Sequence, residues 1–107
     1  MAFDLVIGKS SLVKDNPQIL GGLEFDEQNI VITGLHKKHP STVFRLLSNP
    51  FSDITIHQQQ LVECKEELYK TITKSDLSKN EKNMVYKLTS IICYALDSNL
   101  PLHGVAD

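Results

Sequence analysis

Met84, Val85, Leu88, Ile91, Ile92, Ala95 and Leu96 recur at spacings of three and four, which lays a wide apolar stripe along one continuous helix. A stripe of that width must be buried against another layer, so this helix constrains the fold more than any other segment. Ser78 and Glu81 stand immediately before it in the order of a capping box, in which each side chain satisfies a free amide of the first turn. Pro101 cannot continue the helix and sets its end near Ser98-Asn99, leaving Leu102 to Asp107 as a tail. A second amphipathic helix precedes it, with Leu61, Cys64, Leu68 and Ile72 on one face and Gln60, Glu63, Glu66, Glu67 and Lys70 on the others. Only a few residues around Ser75-Asp76 join the two, which predicts an antiparallel helix pair.

The beginning of the chain follows a different period. Phe3 to Gly8 is short, β-branched and apolar, and reads as a strand. Residues 12–22 concentrate Asp15, Asn16, Pro17, Gly21 and Gly22, and read as a loop. Leu23-Glu24-Phe25-Asp26 alternates apolar with acidic, and Ile30-Val31-Ile32-Thr33 follows closely, so a short hairpin is expected with Leu23 and Phe25 inward and Glu24 and Asp26 outward. A short helix is predicted from about Pro40 to Ser48, broken by Asn49-Pro50, with Phe51 seeking the core. Ile54-Thr55-Ile56 fits either a strand or the entry to the second helix. The capping-box spacing of Thr55 and Gln58 favours a helix starting near Ile56. Strands first and helices later give the α+β class, a small N-terminal antiparallel sheet covered by C-terminal helices. Leu61, Leu68, Met84, Leu88, Ile91, Ile92 and Leu96 are its expected core.

With 107 residues, 41% hydrophobic and 22% charged, the chain has the length and composition of a single domain, 1–107, that buries a core without disulfides or a structural metal. Eleven Lys and Arg against thirteen Asp and Glu give a formal charge of −2, without the basic stripe that phosphate contacts demand. Nucleic acid is therefore not an expected partner. No stretch approaches the ~18 apolar residues of a membrane span, and the start lacks the basic lead-in of a signal peptide. Cys64 and Cys93 read as reduced thiols of a cytoplasmic protein, with no membrane partner.

The residue types needed for chemistry are present, but their spacing does not assemble a site. His36 and His39 flank Lys37-Lys38 without the third and fourth ligands that zinc requires, so no metal or other cofactor is expected. Cys64 and Cys93 fall on or beside apolar stripes and away from helix N-termini, where a reactive thiol would be sought. Adjacent Glu66 and Glu67 diverge by about 100° around a helix and do not share one catalytic position. The chain is read as a non-enzyme. What remains is acidic clustering: Glu24, Asp26 and Glu27 on the predicted hairpin, and Glu63, Glu66 and Glu67 on the second helix. These six are the candidate partner-binding residues, offering a negative surface to a basic protein.

In format the chain resembles a small bacterial immunity protein of the contact-dependent growth inhibition type. The resemblance lies in the opening Phe3-Asp4-Leu5-Val6-Ile7-Gly8, followed by Gly21-Gly22-Leu23-Glu24-Phe25-Asp26 and a helical remainder. It implies a cytoplasmic, non-enzymatic protein that binds its cognate toxin domain, commonly a nuclease, and occludes the active or substrate-binding surface. Two other classes fit the residues: an assembly subunit that oligomerises through Leu100-Pro101-Leu102, and a small Cys-His enzyme.

Overall fold

The computed structural model describes residues 2–107, and it is α+β. β1 (Ala2–Ile7) leads through a 3₁₀ turn (Val13–Asp15) to β2 (Gln18–Glu24). A π-helical segment (Glu27–Ile32) then runs without a break into α1 (Thr33–Lys38). α2 (Thr42–Leu47), β3 (Ile54–Ile56), α3 (Gln58–Ile72), α4 (Lys79–Ser98) and β4 (Leu102–Ala106) complete the chain. The sheet has the order β2-β1-β4-β3 and every neighbouring pair is antiparallel.

The two long helices form where their periodicity places them. Ser78 Oγ accepts the Glu81 N–H at 3.2 Å and Glu81 Oε1 accepts the Ser78 N–H at 2.8 Å, closing the expected capping box. Asn99 ends α4 in the left-handed region at φ 56°, a conformation Asn tolerates better than most residues. Leu61, Cys64 and Leu68 of α3 and Met84, Val85, Leu88, Ile91, Ile92 and Ala95 of α4 are buried, while Leu96 is half-buried at the margin. Phe3, Leu5 and Ile7 of β1 join the same core by the strand's period of two.

Three expectations at the element level are corrected. Residues 25–38 are helical and form no hairpin. A strand would have put Ile30 and Ile32 on one face, whereas Ile30 is 63% exposed and Ile32 fully buried. β2 instead occupies the predicted loop, pairing Leu23 with Phe3 and Gly21 with Leu5; a bulge then leaves Leu20 unmatched before Ile19 meets Val6. Ile54-Thr55-Ile56 is strand β3, and α3 begins only at Gln58, where His57 donates its N–H to Gln60 Oε1 at 3.4 Å.

The third correction alters the topology. The predicted tail is β4, held between β1 and β3, so the sheet draws two strands from the beginning of the chain, one from its middle and one from its end. Leu102 packs in the core. His103 is buried on the opposite face, where Nε2 donates to the Gly8 carbonyl at 2.9 Å and Nδ1 lies 3.0 Å from Thr55 Oγ1. A carbonyl only accepts, so Nε2 carries a proton toward Gly8. Leu100 and Pro101 are half-buried, so Leu100-Pro101-Leu102 is not the exposed patch that the assembly reading needs.

Candidate functional site

The chain from Gln18 to Val31 runs antiparallel to α4 and leaves a seam between them. Four contacts mark its course. Tyr94 Oη donates to Gln18 Oε1 at 3.5 Å, and Ile91 Cδ1 lies 3.4 Å from where a Cβ on Gly21 would stand. Lys87 Nζ donates to the Gly22 carbonyl at 2.6 Å and reaches Glu27 Oε2 at 3.4 Å. On one side of the Lys87 bridge lies a cleft of ≈ 460 Å³, lined by Asp26, Glu27, Ile30, Asn80, Asn83 and Met84 among others. On the other side a groove of ≈ 360 Å³ is lined by Gln18, Ile19, Leu20, Ser90, Ile91 and Tyr94. The helix residues of both, 80, 83, 84, 87, 90, 91 and 94, advance by steps of one and three along one face of α4.

The first acidic cluster stands on this seam. Glu24 ends β2, and its N–H is accepted by Glu27 Oε1 at 2.8 Å, so Glu27 folds back onto the strand end while its other oxygen meets Lys87. Among the described residues no cation is paired with the carboxylate of Glu24 or Asp26, and both side chains are exposed. Phe25 was expected in the core. It lies at the surface instead, 37% exposed, with its ring centroid 6.0 Å from that of Phe51, which is also exposed. Phe51 is held outward because Asn49 Oδ1 accepts its N–H at 2.9 Å in a local turn, and Pro50 is the buried member of that tripeptide.

The wide turn beneath this surface is built around Gln28. The Gln28 carbonyl accepts the Thr33 N–H, five residues on, and also the Thr33 hydroxyl at 3.0 Å. Gln28 itself is completely buried, with Nε2 donating to the Leu47 carbonyl at 3.0 Å. Among the described residues its Oε1 has no hydrogen-bond partner. The extra residue in the turn brings Gln28, Ile32 and Leu35 inward together and leaves Ile30 outside.

The second acidic cluster does not join the first, since no residue of α3 lines the seam. Glu63 and Glu66 are exposed, and Glu67 turns away from them. Its oxygens accept the Thr42 N–H at 3.1 and 2.9 Å and the Val43 N–H at 3.3 Å, capping the start of α2 together with Ser41. Sequence periodicity placed Glu67 one turn beyond Glu63 but could not show that α2 starts against it.

The remaining chemical candidates are engaged elsewhere. His36 Nδ1 accepts the Ser41 N–H at 3.3 Å and His39 Nε2 meets Asp76 Oδ1 at 2.8 Å. Burial pushes the Cys64 thiol up to about 12, with Glu67 and Glu63 adding to the effect and Arg45 opposing it, so its thiolate is suppressed. Cys93 is half-buried with its sulfur 3.7 Å from Tyr69 Oη. Among the described residues no group of three His, Cys, Asp or Glu side chains gathers as a metal ion requires, and no helix is long and apolar enough to cross a membrane. Compared with protein-family models, curated proteins and solved structures, the chain matches none.

Proposed function

We propose that this protein is an immunity-type inhibitor that acts in the cytoplasm and occludes the basic substrate surface of a cognate toxin domain, a nuclease. One observation supports the reading: among the described residues no cation is paired with the carboxylate of Glu24 or Asp26, which stand beside the exposed apolar side chains of Phe25 and Ile30. Apolar anchors next to uncompensated charge are what a protein interface uses, the first for affinity and the second for steering. A nuclease must concentrate positive charge to hold phosphate, and carboxylates placed against that field imitate the substrate without being cleavable. Of the six acidic candidates, Glu24, Asp26 and Glu27 form the docking surface, while Glu67 belongs to the fold.

The test begins with the gene immediately upstream: if it encodes a large exoprotein with a variable C-terminal domain, that domain is co-expressed with this chain. The domain should arrest growth when expressed alone, and growth should return when both are made. Replacing Glu24 and Asp26 together by Lys should leave the unfolding midpoint unchanged, slow association and flatten its salt dependence. A double variant that binds and protects like the parent at every salt concentration would refute the electrostatic docking, and failure of the parent chain to protect would refute the immunity reading.

A further inference from the structure

β2 and β3 are the two edges of the sheet, and a free edge normally carries devices that stop another strand from adding to it. β3 is protected by being only three residues long. At the far end of β2 the outward peptide groups are occupied, Gly22 by the Lys87 ammonium and Glu24 by the Glu27 carboxylate. These devices stop halfway along the strand. Over Gln18, Ile19 and Leu20 no described side chain or backbone group bonds the peptide edge facing away from β1, and no charged residue stands there. Ile19 is 65% exposed at this point, above the groove that Leu20, Ile91 and Tyr94 line.

We infer that this stretch of edge receives a short extended segment of the toxin domain. The assignment rests on the immunity reading and names the element that the partner contributes. The segment hydrogen-bonds through its backbone to Gln18–Leu20 and lays an apolar side chain into the groove against Ile91 and Tyr94. The bulge at Leu20 and the Lys87 bridge at Gly22 limit the pairing to two or three residues. Beyond the bridge, the segment presents a Lys or Arg to Glu24 and Asp26. Glu24 lies four steps along the strand from Leu20, about 13 Å at the usual rise, so the basic residue falls about four positions past the paired stretch. A second copy of this chain is the poorer occupant. Its own edge, Gln18 to Glu24, contains a carboxylate and no cation to meet Glu24 and Asp26.

Backbone pairing tolerates many sequences, so a generic strand former is a fair probe. The probe is the peptide Arg-Thr-Val-Thr-Val-Thr-Arg, acetylated and amidated, with an arginine at each end to serve either strand direction. Titrated into the isotope-labelled protein, it should shift the amide signals of Gln18–Leu20, Ser90–Tyr94 and Glu24–Glu27. Methylating alternate peptide nitrogens of the probe, or replacing the exposed Ile19 by Lys, should abolish the shifts at Gln18–Leu20. Shifts restricted to Glu24–Glu27, or equal shifts with the methylated peptide, would overturn the strand pairing and leave the electrostatic docking standing. A dimer in the absence of peptide that Ile19→Lys dissolves would assign the edge to a second copy and overturn the proposal. In co-expression, Ile19→Lys should lose protection against the toxin domain. Full protection by that variant overturns the strand pairing alone, whereas absence of protection by the parent chain overturns the immunity reading.

Discussion

Glu67 is a carboxylate whose surroundings, more than its charge, decide what it does. Both oxygens face the Thr42 N–H and one also faces the Val43 N–H, donors that a six-residue helix leaves unpaired at its start. Replacing Glu67 by Ala should lower stability in urea unfolding by about 1–2 kcal/mol, the range for losing a helix cap, whereas Glu66→Ala should change it by less than ~0.5 kcal/mol. The two residues are neighbours on α3 and look alike in the sequence; only the arrival of α2 separates them. Residues of the helix pair were legible, because burial there follows from period alone. Leu88 is 1% exposed, and Leu88→Ala should cost about 2–5 kcal/mol in the same measurement. Phe25, Phe51 and Glu67 were not legible, because each is placed by a contact with a segment distant in sequence or by a local turn.

Among elements, α3 and α4 were legible as helices, and the Ser78 box located the start of α4. The π-helical segment was not, since Ile30-Val31-Ile32 is β-branched and its local propensity points to a strand; the fold overrides it by burying Gln28, Ile32 and Leu35 together. Beyond the core that Ile32 and Leu35 share with α4, charged groups tie the end of α1 to the start of α4. Lys38 Nζ, at the end of α1, donates to the Asp76 carbonyl and to Glu81 Oε1, both at 2.8 Å, and His39 meets the Asp76 carboxylate. The hydrogen bond from His39 holds Asp76 below its ordinary range. Burial pushes Glu81 up, but Lys38 and the Ser78 N–H outweigh it and the carboxyl lies below its ordinary value. A carboxyl whose folded pKa is depressed contributes stability above its unfolded pKa and loses it as pH falls through the folded one. The unfolding midpoint should therefore drop as the pH falls below 4.5 and then 3.8, the ordinary values of the two groups. In Glu81→Gln the melting temperature should be lower at neutral pH and its decline over that acid window shallower; an unchanged acid slope would remove Glu81 from the account.

At the scale of the whole molecule, β1 and β4, the first and last elements of the chain, lie side by side at the centre of the sheet. The α+β class and the helical cover were legible, but this closure was not: Leu-His-Gly-Val-Ala after a proline has no strand signal of its own and becomes a strand only between two partners. Gly104 shows how close those partners come, since a Cβ there would stand 2.4 Å from the Phe3 ring and 2.8 Å from Ile54 Cγ1. Ending the chain at Pro101 removes five registered pairs with β1 and three with β3. It also removes buried Leu102, the His103 bonds to Gly8 and Thr55, and the Asp53 carboxylate's contact with the Ala106 N–H. Burying one leucine contributes about 1.5–3 kcal/mol and each ladder hydrogen bond about 0.5–1.5 kcal/mol, against a total stability of about 5–15 kcal/mol for a domain. The shortened chain should therefore lose its dispersed amide spectrum and its cooperative unfolding transition, although α3 and α4 can keep much of their helical circular dichroism. Adding Leu102–Asp107 back as a separate peptide should restore dispersion in proportion to peptide concentration, as mass action requires of a strand bound to the native state alone. A cooperative transition in the shortened chain without the peptide would show that β1, β2 and the helices suffice, and would return the last six residues to the role of a tail.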